Sequence, residues 1–477
     1  MAETRLRGLV FGSASTARLP CARRGDSWRW QHVRMHHLAS APAPEAERLY
    51  AAAKAHLAGG VSAAARIHGS LGRPFMTSRG EGGRVYDVDG NGYIDLNTSN
   101  GATLLGHGHP AVRAAIERAL DLGLLTAHET PYQAEVARKI SELVPCAELV
   151  RFTTSGTETT WYAIRTARAY AGKHKVVKFE GHFHGYHDYL GYSAWPPVEA
   201  AGPPEAPVPV VESGGIPPEL QQFVIVLPWN DIDALERTLR ARGGEIAAVI
   251  MEPINYNSGS ILPLPGYLQA ARRLTQEYDV VLIFDEILSG FRTGPDCAQG
   301  YLGVTPDLCT LGKALGGGTP LSAFAGRRDV MGAVSPNGAA VHSGTFNAHL
   351  IPILAASAFL DEVANPAFWA NLEHLESVFY SGLRDAFRCA GLPVWVQAVG
   401  ARFSLLFGLD SEPTTYRQAA LYDRELARRF FGAALEEGVY FHSAWHHGLC
   451  AMHTEADLER ALSGIEAAAR RVARSNA

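Results

Sequence analysis

Short, mostly apolar runs recur through the middle of this chain, and each stops abruptly at a polar residue or glycine. Residues 280–284 run into Asp285 and Glu286, residues 247–251 into Glu252, and Leu308–Leu311 into Gly312 and Lys313. Runs of this length, bounded by polar groups, read as strands buried on both faces. With similar stretches at 149–154, Lys175–Phe179, 223–227 and Ser322–Gly326, they predict a mostly parallel sheet whose strands alternate with helices or loops. The segment after 149–154 turns sharply into a helix whose buried face carries Ile164, Ala167 and Tyr170.

The flanks are patterned differently. Residues 44–57 predict an alanine-rich helix opened by Pro44 and stopped by Gly59-Gly60. Residues 85–95 predict a hairpin around Asp89-Gly90-Asn91-Gly92, and a helix begins near Pro110. Between 192 and 218, proline, glycine and alanine dominate, which predicts a long loop of the kind that covers sites. Beyond Ile351, helices alternate with strands at 394–399, 403–407 and 439–441, a smaller α+β unit. It ends in a helix capped by Thr454 and Asp457 and faced by Leu458, Leu462 and Ile465. The organisation expected is an arm at 1–43, an N-terminal segment at 44–100 belonging to the smaller unit, a large domain at 101–345, and the smaller domain at 346–477. The fold class is α/β.

Composition changes the picture little outside the arm. With 477 residues and 47% hydrophobic content the chain holds a large core. A formal charge of −5 gives no electrostatic case for nucleic acid or membrane as main partner. Six scattered cysteines without C-x-x-C spacing fit a reducing, cytoplasmic setting. No apolar stretch reaches the ~20 residues of a membrane span. Residues 1–43 hold seven arginines against Glu3 and Asp26. They read as a disordered basic arm or an upstream start, with an organelle transit peptide as the alternative.

The chemistry-bearing residues sit where the strands end. Ligands of parallel sheets bind outside the carboxyl ends of strands, so Asp285 and Lys313 are expected to face one crevice. A lysine amine that is neutral part of the time can form a Schiff base, and burial favours the neutral form. A carboxylate against a pyridine nitrogen keeps that nitrogen protonated, the state in which pyridoxal 5'-phosphate serves as electron sink. Ser155, Gly156 and Thr157 open the helix after residue 154, and a helix N-terminus suits a phosphate group because its first N–H groups have no partner. His107, His109, His182, His184 and His187 lack the spacing of a metal site, so no metal is expected. No G-x-G-x-x-G follows a strand, which argues against a nicotinamide enzyme.

The words Leu282-Ile283-Phe284-Asp285-Glu286, Ser289-Gly290-Phe291-Arg292 and Thr310-Leu311-Gly312-Lys313 resemble those of class III, fold-type I aminotransferases, from about Glu45 onward. The resemblance implies a large PLP-binding domain with a smaller α+β domain, and a homodimer with active sites at its interface. It makes Lys313 the Schiff-base lysine, Asp285 the ring-nitrogen partner and Phe183, before His184-Gly185, the residue stacked on the ring. Thr345 would reach the cofactor phosphate of the partner copy. Asn230 stands either at the cofactor's phenolic oxygen or as a cap for the next helix. Gly59 to Arg66 and Gln299 to Leu308 are similar to the glutamate-1-semialdehyde aminomutase branch, where an arginine, here Arg66, grips the substrate carboxylate. The sequence departs from that branch at Trp445-His446, where an acid preceded by Phe is usual, and in Phe346-Asn347-Ala348-His349. These departures bear on substrate. Arg66, Trp445 and His446 are therefore the substrate-binding candidates. The activity implied is transfer of an amino group from a carboxylate-bearing amine, a β-amino acid favoured, to a 2-oxo acid. An aminomutase, a racemase or epimerase, and a non-catalytic relative are the alternatives.

Overall fold

The computed structural model describes residues 44–442 and 445–475. The arm at 1–43 lies outside the described residues. Helix α1 (Pro44–Lys54) leads to strands β1 (Thr77–Glu81), β2 (Arg84–Asp87) and β3 (Gly92–Asp95), the last two forming the hairpin expected around Gly90. Helix α2 (Pro110–Leu122) starts on Pro110, whose missing N–H is no loss in a first turn.

The large sheet contains β4 (Leu149–Thr153), β5 (Lys175–Phe179), β6 (Val224–Leu227), β7 (Ile246–Met251), β8 (Val281–Glu286), β9 (Leu308–Leu311) and β10 (Ser322–Gly326). Their spatial order is β4-β10-β9-β8-β7-β5-β6. Neighbours pair in parallel except around β10, which runs antiparallel to both β9 and β4. All six residues of β7 and of β8 are buried, which is why β7 and the stretch of β8 before Asp285 read as unbroken apolar runs. Each fully buried Val, Leu or Ile there contributes roughly 1.5–3 kcal/mol. Helices α3 (Gly156–Ala171), α4 (Ile232–Arg242) and α5 (Tyr267–Glu277) bury Ala163, Ile164, Leu235, Leu239, Leu268 and Leu274 in the cores that include the sheet. One expectation for α3 fails: Tyr170 is 45% exposed, because the last turn of the helix has left the sheet, and its hydroxyl donates to Asp329 Oδ2 at 2.9 Å.

C-terminal to the sheet lie α6 (Pro366–Ala390), β11 (Val394–Val399), β12 (Arg402–Phe407), α7 (Arg424–Glu436), β13 (Val439–Tyr440), β14 (His447–Gly448) and α8 (Glu455–Arg474). The capping box of Thr454 and Asp457 opens α8. Helices α6, α7 and α8 share one aromatic-rich core with β11 and β12. Strand β13 pairs in parallel with β3, Val439 against Ile94 and Tyr440 against Asp95, so the N-terminal hairpin and the C-terminal unit share a sheet.

Candidate active site

Strand register brings the acid and the amine together. Asp285 lies opposite Thr310 and Glu286 opposite Leu311 in the β8–β9 pair, and Lys313 follows two residues beyond β9. Gly312 is needed at that exit: a Cβ there would stand 2.6 Å from Ser322 Oγ and 2.9 Å from Ile287 Cδ1. Lys313 itself holds a left-handed backbone, φ +46°, a strained state for a lysine that surrounding structure must impose. Burial pushes its amine down to about 8, against the opposing pull of Asp285 and Glu252.

Asp285 is buried and fixed from three sides. Its Oδ1 accepts from Thr310 Oγ1 at 2.8 Å and from the Ile287 N–H at 3.1 Å, and its Oδ2 meets His184 Nδ1 at 2.7 Å. Burial holds His184 below the ordinary imidazole value in spite of Asp285, so the neutral ring donates from Nδ1. Its Nε2 has no hydrogen-bond partner among the described residues. The turn carrying His184 is tied to α3 by Thr160 Oγ1, which donates to the His184 carbonyl at 2.7 Å.

A cavity of about 210 Å³ joins these groups, lined by Lys313, Asp285, Phe183, Glu252, Asn257 and the Gly156-Thr157 end of α3, among others. Gly185 closes it tightly, since a Cβ there would lie 2.7 Å from Thr157 Cα. Phe183 lines the cavity, its ring stacked on Trp195 at 5.1 Å and 18°. Glu252 organises this wall: Oε1 accepts from the Phe183 N–H at 2.8 Å and Oε2 from Asn257 Nδ2 at 2.9 Å. Burial, with Asp285 adding to it, pushes the Glu252 carboxyl up to about 8. Neither Glu252 nor Asn257 was singled out in the sequence. Glu252 carried the same signal as Asp285, an acid closing an apolar run, whereas Asn257 lies in a turn that no periodicity marks.

Other candidates lie elsewhere in the single chain. Asn230 must be corrected: its side chain donates to the carbonyls of Leu262 and Thr414 at 3.0 and 2.8 Å and accepts from the Leu264 N–H at 2.8 Å. It staples loops, while Asp231 caps α4. Asn230→Ala is expected to lower stability by about 1–3 kcal/mol in denaturant unfolding and to leave cofactor absorbance unchanged. Ser155 is exposed and spends its hydroxyl on the N-cap of α3, accepting from the Glu158 N–H at 3.3 Å. Arg66 and Thr345 are exposed and do not line the cavity. Trp445 packs on Tyr422, ring centroids 4.8 Å apart, and His446 is buried against Arg402.

The comparisons with known proteins agree with this geometry. The family model "Aminotransferase class-III" matches residues 68–455. This chain belongs to the class III aminotransferases. An omega-transaminase from Sphaerobacter thermophilus is similar at 32% identity and TM-score 0.85, over 90% of this chain and 98% of that one. A β-phenylalanine aminotransferase from Variovorax paradoxus is similar at 30% identity and TM-score 0.77, over 89% and 93%. A glutamate-1-semialdehyde aminomutase from Pseudomonas aeruginosa is similar at 25% identity and TM-score 0.81, over 90% and 95%. The enzyme is thus a pyridoxal-phosphate-dependent transaminase. Its cavity fits that cofactor on its own terms. It offers an amine, a buried carboxylate, an aromatic residue and a helix N-terminus for a phosphate.

Proposed function

We propose that this aminotransferase moves the amino group of a carboxylate-bearing amine, a β-amino acid favoured, to a 2-oxo acid by a ping-pong sequence. The observation that carries the reading is the convergence of Lys313, Asp285 and the Gly156-Thr157 helix end on one cavity. Bound pyridoxal phosphate supplies the aldehyde that takes up the amino group and a ring that accepts the electron pair. Lys313 then moves a proton to and from the substrate carbon, as base and as acid. Asp285, oriented by Thr310 and His184, holds the ring's proton. Gly156 and Thr157 would donate backbone N–H groups to the phosphate, with Ser155 beside them, and Phe183 would lie against the ring. Asn257, which lines the cavity where Asn230 does not, would supply the polar group beside the ring.

The β-amino acid preference is supported by likeness to the β-phenylalanine enzyme and by His446 standing where the aminomutase branch carries an acid. An assembly of two copies is part of the reading. Leu120, Leu124, Val341 and Phe346 are 55%, 61%, 64% and 63% exposed, the last beside Thr345, and apolar surface of this kind suits a partner copy. The test is a half-reaction: cofactor-loaded protein mixed with α-, β- and ω-amines, followed by absorbance. Conversion by β-amino acids is the expected result. Reaction with glutamate semialdehyde alone, returning 5-aminolevulinate, would make the enzyme an aminomutase. Inversion of a chiral amino acid without amino transfer would make it a racemase or epimerase.

A further inference from the structure

Two buried guanidiniums that no acid pairs directly lie behind the cavity wall, Asp95 being the acid whose charge reaches Arg402. Arg292 and Arg402 are 1% and 0% exposed, and neither has an ion-pair partner among the described residues. Arg292 donates from Nε to the Leu288 carbonyl at 3.1 Å and from Nη2 to the Gly101 carbonyl. Arg402 donates from Nη1 to the Asn97 carbonyl at 3.2 Å and to Thr98 Oγ1 at 2.9 Å. From Nη2 it reaches His446 Nδ1 and, at 3.3 Å, the His446 carbonyl. Its Nε has no acceptor among the described residues. Every partner is neutral. The two guanidiniums flank one glycine: a Cβ on Gly101 would stand 3.0 Å from Arg292 Nη2, 3.5 Å from Arg402 Nη1 and 3.1 Å from Leu288 Cδ1. Leu288 lines the cavity with Lys313 and Asp285, so the positive pair lies one side chain away from the reacting groups.

Burying like charges with no directly paired counter-ion is strongly unfavourable, and Asp95, which bonds the 97–98 backbone rather than either guanidinium, offsets it only in part. Burial, and the effect of Arg292, draws Arg402 down to about 9, which still leaves it charged at neutral pH. Burial holds the His446 imidazole neutral, and a neutral acceptor is a weaker partner for a guanidinium than a carboxylate is. We propose that Arg402, backed by Arg292, binds the carboxylate of the substrate, which takes the place of His446 on Nη2. The inference rests on the transaminase reading and gives Arg402 the role that the family resemblance gave to Arg66. A merely structural Arg402, tying β12 to the turn at 97–102, would affect all amines alike.

The test uses cofactor-loaded enzyme and two readouts. Calorimetry measures binding of 3-phenylpropanoate, an unreactive carboxylate. Half-reaction absorbance compares 3-amino-3-phenylpropanoate with 1-phenylethylamine, which keeps the ring and lacks the carboxylate. Arg402→Gln is expected to weaken 3-phenylpropanoate binding about 100-fold, and to lower the rate ratio of the two amines by a similar factor. Arg402→Lys, which keeps the charge, is expected to lower both about tenfold and serves if Arg402→Gln does not fold. Equal losses for both amines, unchanged carboxylate binding, no carboxylate binding by the wild type, or loss confined to Arg66→Ala would each overturn the proposal. Failure of the transaminase reading is distinguishable, because then no amine changes the absorbance of the wild type while the calorimetric comparison still reads Arg402.

Discussion

Replacing Lys313 by alanine is expected to lower the single-turnover rate with any amine by at least about 10³-fold, since the group removed serves both as covalent attachment and as proton carrier. The fold should tolerate the change. The Lys313 side chain has no hydrogen-bond or ion-pair partner among the described residues, and burial disfavours its charge, so the melting temperature should stay within a few degrees. The pH dependence carries a sign that follows from the depressed value. A neutral amine attacks and an ammonium does not, so the rate at which unloaded protein takes up pyridoxal phosphate should rise about tenfold per pH unit below 8 and level above about 8. An ordinary lysine would keep gaining to pH ~10.4. Stopped-flow absorbance from pH 6 to 10 makes the comparison. A rate still climbing between pH 9 and 10 would mean that Lys313 is less buried in solution, and residual turnover near wild type in Lys313→Ala would remove it from the chemistry.

The large sheet was legible because its central strands are buried on both faces, which leaves a chain little choice but an apolar run closed by whatever faces the site. Asp285 and Lys313 were found by that punctuation, and Glu252 carried it without being assigned a role. The same logic misled at residue 230, where an asparagine also follows a strand end; its amide turns instead to two carbonyls and an N–H that loops distant in sequence bring to it. Asn257 escaped because a turn has no period, and Tyr170 was misplaced because helical spacing does not say where the sheet ends. Arg402 was the least visible. It precedes the run 403–407 and reads as the polar start of a strand, yet its register against Gly448 aims it into the interior beside His446. Positions such as Arg66 and Thr345, exposed in a single chain, belong to surfaces that one-dimensional patterning does not describe.

Asp285→Asn separates charge from shape at the same site. The amide keeps an oxygen to accept from Thr310 Oγ1 and the Ile287 N–H, and turns its NH2 toward His184 Nδ1. His184 can accept that bond by moving its proton to Nε2, which then becomes a buried donor without a partner, a loss of about 1–3 kcal/mol in stability. The loss in catalysis should be larger. Removing one member of a buried charge pair costs about 3–5 kcal/mol, and if Asp285 is what keeps the ring nitrogen protonated, that corresponds to a 10²–10⁴-fold slower half-reaction. Single-turnover absorbance on cofactor-loaded Asp285→Asn, with urea unfolding in parallel, measures both quantities. A half-reaction within about tenfold of wild type would sink the electrostatic role, leaving Asp285 as a residue that merely orients His184. A large kinetic loss beside a small change in stability would assign the effect to the carboxylate's charge.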